Sequence, residues 1–111
     1  MGFGYEGETL SLEKFVARAR EGEEGFAGEV AKFGVYLSDG RVVVGPFSDQ
    51  HNEILGVEKG TKVFDAGLIS VEGNDVVLAG RATSVVPVRD RQDTVRLMEE
   101  RLPGLSIVAA D

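Results

Sequence analysis

Val30-Ala31-Lys32-Phe33-Gly34-Val35-Tyr36-Leu37-Ser38-Asp39-Gly40-Arg41-Val42-Val43-Val44-Gly45-Pro46 decides the fold. Two apolar runs flank an Asp-Gly pair, the strongest short-range signal for a hairpin, because both residues tolerate positive φ. Residues 29–37 and 41–44 are therefore expected to be antiparallel strands. Gly45-Pro46 stops the second strand.

On the N-terminal side, Leu12, Phe15, Val16 and Ala19 recur at helical spacing, which predicts a helix from Leu10 to Glu21. Ser11 or Thr9 caps its start and Gly22 ends it. The Gly-rich residues 1–9 are expected to be loosely held, and Glu23 to Gly28 reads as an acidic linker.

On the C-terminal side, Ser48 is the expected N-cap of a helix from Asp49 to about Val57, closed by Gly60. Lys62 to Val71 reads as a strand bent at Asp65-Ala66-Gly67. Glu72-Gly73-Asn74-Asp75 is a second hairpin turn, and Val76 to Ala79 is a buried-looking strand. Residues 80–88 form a loop or irregular strand. Asp90, with Asp93, starts a last helix whose apolar face is Val95, Leu97, Met98 and Leu102. Pro103-Gly104 ends it, and Leu105 to Ala109 is a final strand. This order predicts an α+β (α/β-like) domain, a mixed sheet of about five to six strands covered by helices.

Bulk composition narrows the function. At 111 residues the chain fits one domain, and 42% hydrophobic residues supply a core. The absence of cysteine excludes disulfides, thiolate metal sites and cysteine nucleophiles. A net charge of -7 repels nucleic acid and anionic lipid. Seven glutamates between Glu6 and Glu29 weight the N-terminal third, whereas Arg81, Arg89, Arg91 and Arg96 gather in one stretch. One positive rim on an acidic body suits a small anionic group. No signal peptide and no membrane span are read in the chain, so the expected location is cytoplasmic.

Three features bear on chemistry. His51 is the one histidine, and His is the side chain whose proton change lies near neutral pH. As the third residue of a helix capped by Ser48, its ring stays neutral and serves as general base or nucleophile beside free amides that hold an anion. The competing reading is a half-exposed polar residue on a surface helix. The segment Gly80-Arg81-Ala82-Thr83-Ser84 follows a buried strand, and its amides, the Thr83 and Ser84 hydroxyls and Arg81 can grip phosphate oxygens. The competing reading there is an ordinary polar connection. Lys32 interrupts an apolar strand; it faces either a site or solvent, where it protects an edge. Asp49, His51 and Glu53 are two apart and diverge on a helix, so no metal site is expected. Ser84 and Asp65 leave a serine-histidine-aspartate triad conceivable, but no nucleophile-elbow pattern is present.

Taken together, these pieces resemble the janus/ocnus family, whose best-known activity is phosphohistidine phosphatase. The likeness covers about Val30 to Asp111. It rests on Ala31-Lys32-Phe33-Gly34-Val35 as a first core strand opened by lysine, His51-Asn52-Glu53-Ile54, the bend Ala66-Gly67-Leu68-Ile69, and Gly80-Arg81-Ala82-Thr83-Ser84. The resemblance implies a six-stranded mixed sheet and a phosphate site with His51 as base or nucleophile, Ala82 to Ser84 gripping oxygens, and Lys32 nearby. It calls for no cofactor and no metal, and for a phosphorylated protein or small phosphorylated ligand as partner. The family's loop serine falls at Ala82 here, its basic residue at the bend falls at Leu68, and residues 1–29 form an extension without counterpart. A different class of function on the same scaffold is a non-catalytic module that binds a phosphate ligand or a protein.

Overall fold

The Asp39-Gly40 hairpin forms, and the sheet grows outward from it. The computed structural model describes Tyr5 and residues 7–110. Strands β2 (Ala31–Val35) and β3 (Val42–Gly45) pair antiparallel, with Val35 opposite Val42. The loop is wider than a two-residue turn: the Tyr36 amide donates to the Arg41 carbonyl, and the Gly40 amide returns to the Tyr36 carbonyl. Only Gly40 takes positive φ, at 70°. At the second hairpin, β5 (Asp65–Glu72) and β6 (Asp75–Ala79) are joined by Gly73-Asn74, with Gly73 at φ 64°. Positive φ confined to the first central position is what a type II′ turn requires.

Two short additions complete the sheet edges. The helix expected from Leu10 begins later: Leu10–Ser11 is a strand, β1, paired with β3, and helix α1 is Leu12–Arg20. Ser11 caps it by accepting the Lys14 amide at 3.2 Å. Helix α3 (Arg91–Arg101) crosses over to β8 (Ser106–Ala109), which pairs parallel with β6. Asp90 occupies the N-cap position of α3 without a side-chain capping bond. The six-stranded sheet runs β1-β3-β2-β5-β6-β8 and is mixed, as expected for the α+β class.

Strand alternation divides the core in two. Ala31, Phe33 and Val35 join Val42, Val44, Ile69 and Leu78 beneath α1 and α3. Phe15, Phe33, Leu78 and Met98 are fully buried there. Residues before Glu29, expected as an extension, thus supply β1 and α1 to the same sheet and core. Tyr5 is buried too. It stacks on Phe26 with centroids 4.7 Å apart and donates its hydroxyl to the Val44 carbonyl, so this part of the Gly-rich start is held. The rest of that expectation, at residues 1–4 and 6, falls outside the described residues.

The opposite face carries helix α2 (His51–Leu55) and a two-stranded ribbon. Ile54 and Leu55 pack there with Val43, Val63, Ala66 and Val85. Glycines in the sheet let α2 lie directly on it. A Cβ at Gly34 would fall 2.7 Å from Leu55 Cγ, and one at Gly45 would fall 2.5 Å from Ile54 Cγ1. The expected single strand from Lys62 breaks at Phe64, not at Asp65-Ala66-Gly67. Its first part, β4 (Lys62–Val63), pairs parallel with β7 (Val86–Pro87), while Phe64 donates its amide to Val35. Pro87 is tolerated because the flanking Val86 and Val88 amides make the ribbon's bonds.

Candidate functional site

Helix α2 starts two residues later than Ser48 capping predicts. Pro46 to Asp49 closes a turn through the Asp49 amide and Pro46 carbonyl. Gln50 then becomes the N-cap, and its amide donates to the Glu53 carboxylate at 2.8 Å. A carboxylate three residues ahead satisfies the cap position better than Ser48 can. Gly56, at φ 69°, ends the helix before Val57. His51 is therefore the first helical residue, not the third. With five residues the helix contributes little dipole.

What governs the imidazole is burial. His51 is 6% exposed. Its Nε2 lies 2.8 Å from the Gly67 carbonyl oxygen. That oxygen only accepts, so Nε2 carries the proton and the lone pair of the neutral ring is on Nδ1. Desolvation lowers the pKa below 6.5; the Gly67 bond pulls it back up, and the Lys32 charge lowers it further. The ring is neutral at pH 7, as expected, but through desolvation rather than the helix dipole.

A cavity of about 300 Å³ opens beside the ring, lined by Lys32, Gln50, His51, Lys59, Thr83 and Ser84. It brings together three segments distant in sequence. Lys32 projects from β2 on the α2 face, donating Nζ to the Asp49 carbonyl at 2.7 Å and lying 5.4 Å over the Phe47 ring. This is neither a solvent-facing lysine nor an edge strand, since β2 is flanked by β3 and β5. One N–H is committed and two remain for a ligand. The Ser84 loop is tied to α2: the Asn52 amide donates to Ser84 Oγ at 3.0 Å, and the Gly60 amide donates to the Ser84 carbonyl at 2.8 Å. The lining contains two ammonium groups, two hydroxyls and no carboxylate. In a chain of net charge -7 this is a local inversion of sign.

Lys59 and Gln50 were not singled out in the sequence. Lys59 sits in a turn residue run, Glu58-Lys59-Gly60, with no periodic signal, and contacts distant in sequence, Gly60 to Ser84 and Thr61 to Val86, bring that turn to the cavity. Two expected members lie elsewhere. Ala82 packs against the apolar cluster under α2. Arg81 lines a second hollow, of about 510 Å³, with Asp65, Arg89 and Arg91. Asp65 makes no hydrogen bond to a serine or to His51 among the described residues, as a triad would need. It holds Arg91 Nε at 2.7 Å and the Thr94 hydroxyl at 2.6 Å. Among the described residues, no group of three or more His, Asp or Glu side chains is placed to hold a metal ion, and no helix is long and apolar enough to cross a membrane.

The arrangement can bind a small multivalent anion and present Nδ1 of a neutral imidazole to it. Comparison with protein-family models, with curated proteins and with solved structures finds no match, so the functional reading rests on this geometry.

Proposed function

We propose that the protein is phosphatase-like and hydrolyses a phosphoramidate such as phosphohistidine on a protein, on the janus/ocnus scaffold it resembles. The observation that carries this reading is the cavity in which a buried, neutral imidazole meets Lys32, Lys59 and two hydroxyls with no lining carboxylate. In one route, His51 Nδ1 takes a proton from water as the water oxygen attacks phosphorus. In the other, Nδ1 attacks phosphorus itself, and water later hydrolyses the phosphorylated ring. Either way the P–N bond breaks and the departing nitrogen gains a proton. Lys32, Lys59 and the Thr83 hydroxyl stabilise charge on the phosphoryl oxygens. The partner is a phosphorylated protein or a small phosphorylated ligand, met in the cytoplasm.

The test is hydrolysis of a phosphohistidine peptide by the wild type and by His51→Ala. General-base catalysis predicts a loss of about 10²–10⁴-fold. Equal rates in the two proteins remove His51 from the mechanism.

A second reading, a non-catalytic phosphate-binding module, has one observation in its favour. Ser84 Oγ already accepts the Asn52 amide and Arg81 lines a different hollow, which leaves fewer groups to stabilise shifting charge. Phosphate titration that moves the amide signals of His51 and Ser84, without turnover of any phosphoramidate, favours it.

A further inference from the structure

The second hollow has its own electrostatic character. Arg91 and Asp65 neutralise one another across 2.7 Å, and Arg91 Nη2 also donates to the Gly80 carbonyl at 2.7 Å. That pair is scaffold. It fixes the Gly80 loop, at whose start Arg81 stands. Arg81 and Arg89 make no ion pair among the described residues; Arg89 lies 5.6 Å over the Phe64 ring. Asp90 is the one lining carboxylate outside the Arg91 network. Two exposed guanidinium groups therefore face one carboxylate in a concavity of about 510 Å³. Guanidinium forks match a carboxylate in geometry and charge.

The hollow also lies at a defined place relative to His51. Lys32, Leu68 and Ala79 stand side by side across β2, β5 and β6. Lys32 borders the first cavity, and Gly80, next to Ala79, borders the second. Arg81 lines the second hollow and Thr83 the first; two residues apart, their Cα atoms are separated by at most about 7 Å, which sets their ligands about three residues of extended peptide apart. The first hollow lies on the α2 face of the sheet and the second beside α3 on the other, and the loop from Gly80 to Ser84 borders both.

We propose that the arginine-lined hollow is a carboxylate subsite, which takes an acidic side chain about three residues from the phosphorylated residue of a polypeptide substrate. This rests on the phosphate reading of the first cavity and narrows it to phosphorylated polypeptides with an acidic flank. Elsewhere the acidic surface repels such a chain, so the arginines also set its direction of approach.

Peptides carrying a non-hydrolysable phosphonate analogue of phosphohistidine, with aspartate or alanine three residues to either side, test the proposal. Calorimetry and amide NMR are run on the wild type and on the Arg81→Ala/Arg89→Ala double variant. Both substitutions are at exposed positions outside the first cavity. The expected result is that an aspartate peptide binds about tenfold tighter than the alanine peptide. That advantage disappears in the double variant while the His51 and Ser84 shifts persist. Equal affinity for the two peptides, with His51 and Ser84 still shifting, overturns the subsite and leaves the first cavity's reading intact. An aspartate advantage that survives the double substitution also overturns it. Peptides that move neither His51 nor Ser84 remove the phosphate reading, and the flanking role with it.

Discussion

His51 Nε2 and the Gly67 carbonyl oxygen are 2.8 Å apart, and this contact orients the imidazole across the sheet face. Gly67 lies on β5, opposite Phe33 of β2. A strand carbonyl thus fixes the tautomer of a helical side chain, and the free lone pair is left on the ring's other nitrogen. The ring's chemistry depends on α2 staying seated on the sheet.

The single histidine makes its titration directly readable. Burial, ahead of the Lys32 charge, holds the folded pKa below 6.5, and NMR of the ring carbon-bound protons should give a midpoint under that value. The unfolded ring then binds more protons than the folded one as pH falls below about 6.5, so acidification costs stability. The cost grows from there down to the folded pKa and then levels off. His51→Gln should flatten that segment of the stability profile. A midpoint at or above 6.5 would show that desolvation does not dominate.

Gly45→Ala should unseat α2. The added methyl lands 2.5 Å from Ile54 Cγ1, and overpacking of this kind costs about 1–3 kcal/mol. Denaturant unfolding measures it. In a double-mutant cycle with Ile54→Ala the two losses should be less than additive, because the new methyl fills vacated space. Full additivity would mean that the residues do not press on each other.

The two lysines should differ in weight. Lys32 is part-buried and oriented by the Asp49 carbonyl, whereas Lys59 is exposed. Lys32→Met is expected to lower phosphoramidate kcat/KM by about 10- to 100-fold, the value of a charge-assisted hydrogen bond. Lys59→Ala should cost about fivefold or less and lose its effect in high salt, as exposed charges do. Equal, salt-insensitive losses would contradict this ranking.

Asp65 is 3% exposed and holds both Arg91 and Thr94. Asp65→Asn leaves the Arg91 charge without its partner beneath the Gly80 loop, which should destabilise the fold by about 3–5 kcal/mol. Thermal or urea unfolding at pH 7 checks this. A shift under about 1 kcal/mol would mean that the pair is solvated.

Local chemistry made much of the architecture legible. The Asp39-Gly40 turn, the Leu12-Phe15-Val16-Ala19 stripe and the Ser11 cap depend on neighbours within a few residues, and each formed where the residues specify. His51, Lys32 and the Thr83-Ser84 loop stand out in the sequence as polar groups, and the structure places them around one cavity. What the chain's linear order could not carry is everything set by contacts distant in sequence. The face that Lys32 chose was settled by the register of β2 between β3 and β5. Lys59 reached the cavity because the amide of its neighbour Gly60 bonds the Ser84 carbonyl, and Arg81 was directed to the opposite side of its loop by the Gly80–Arg91 contact. The neutral state of His51 was anticipated for the wrong cause. A helix dipole can be read from neighbouring residues, but desolvation exists only once a sheet and a helix have closed around the ring.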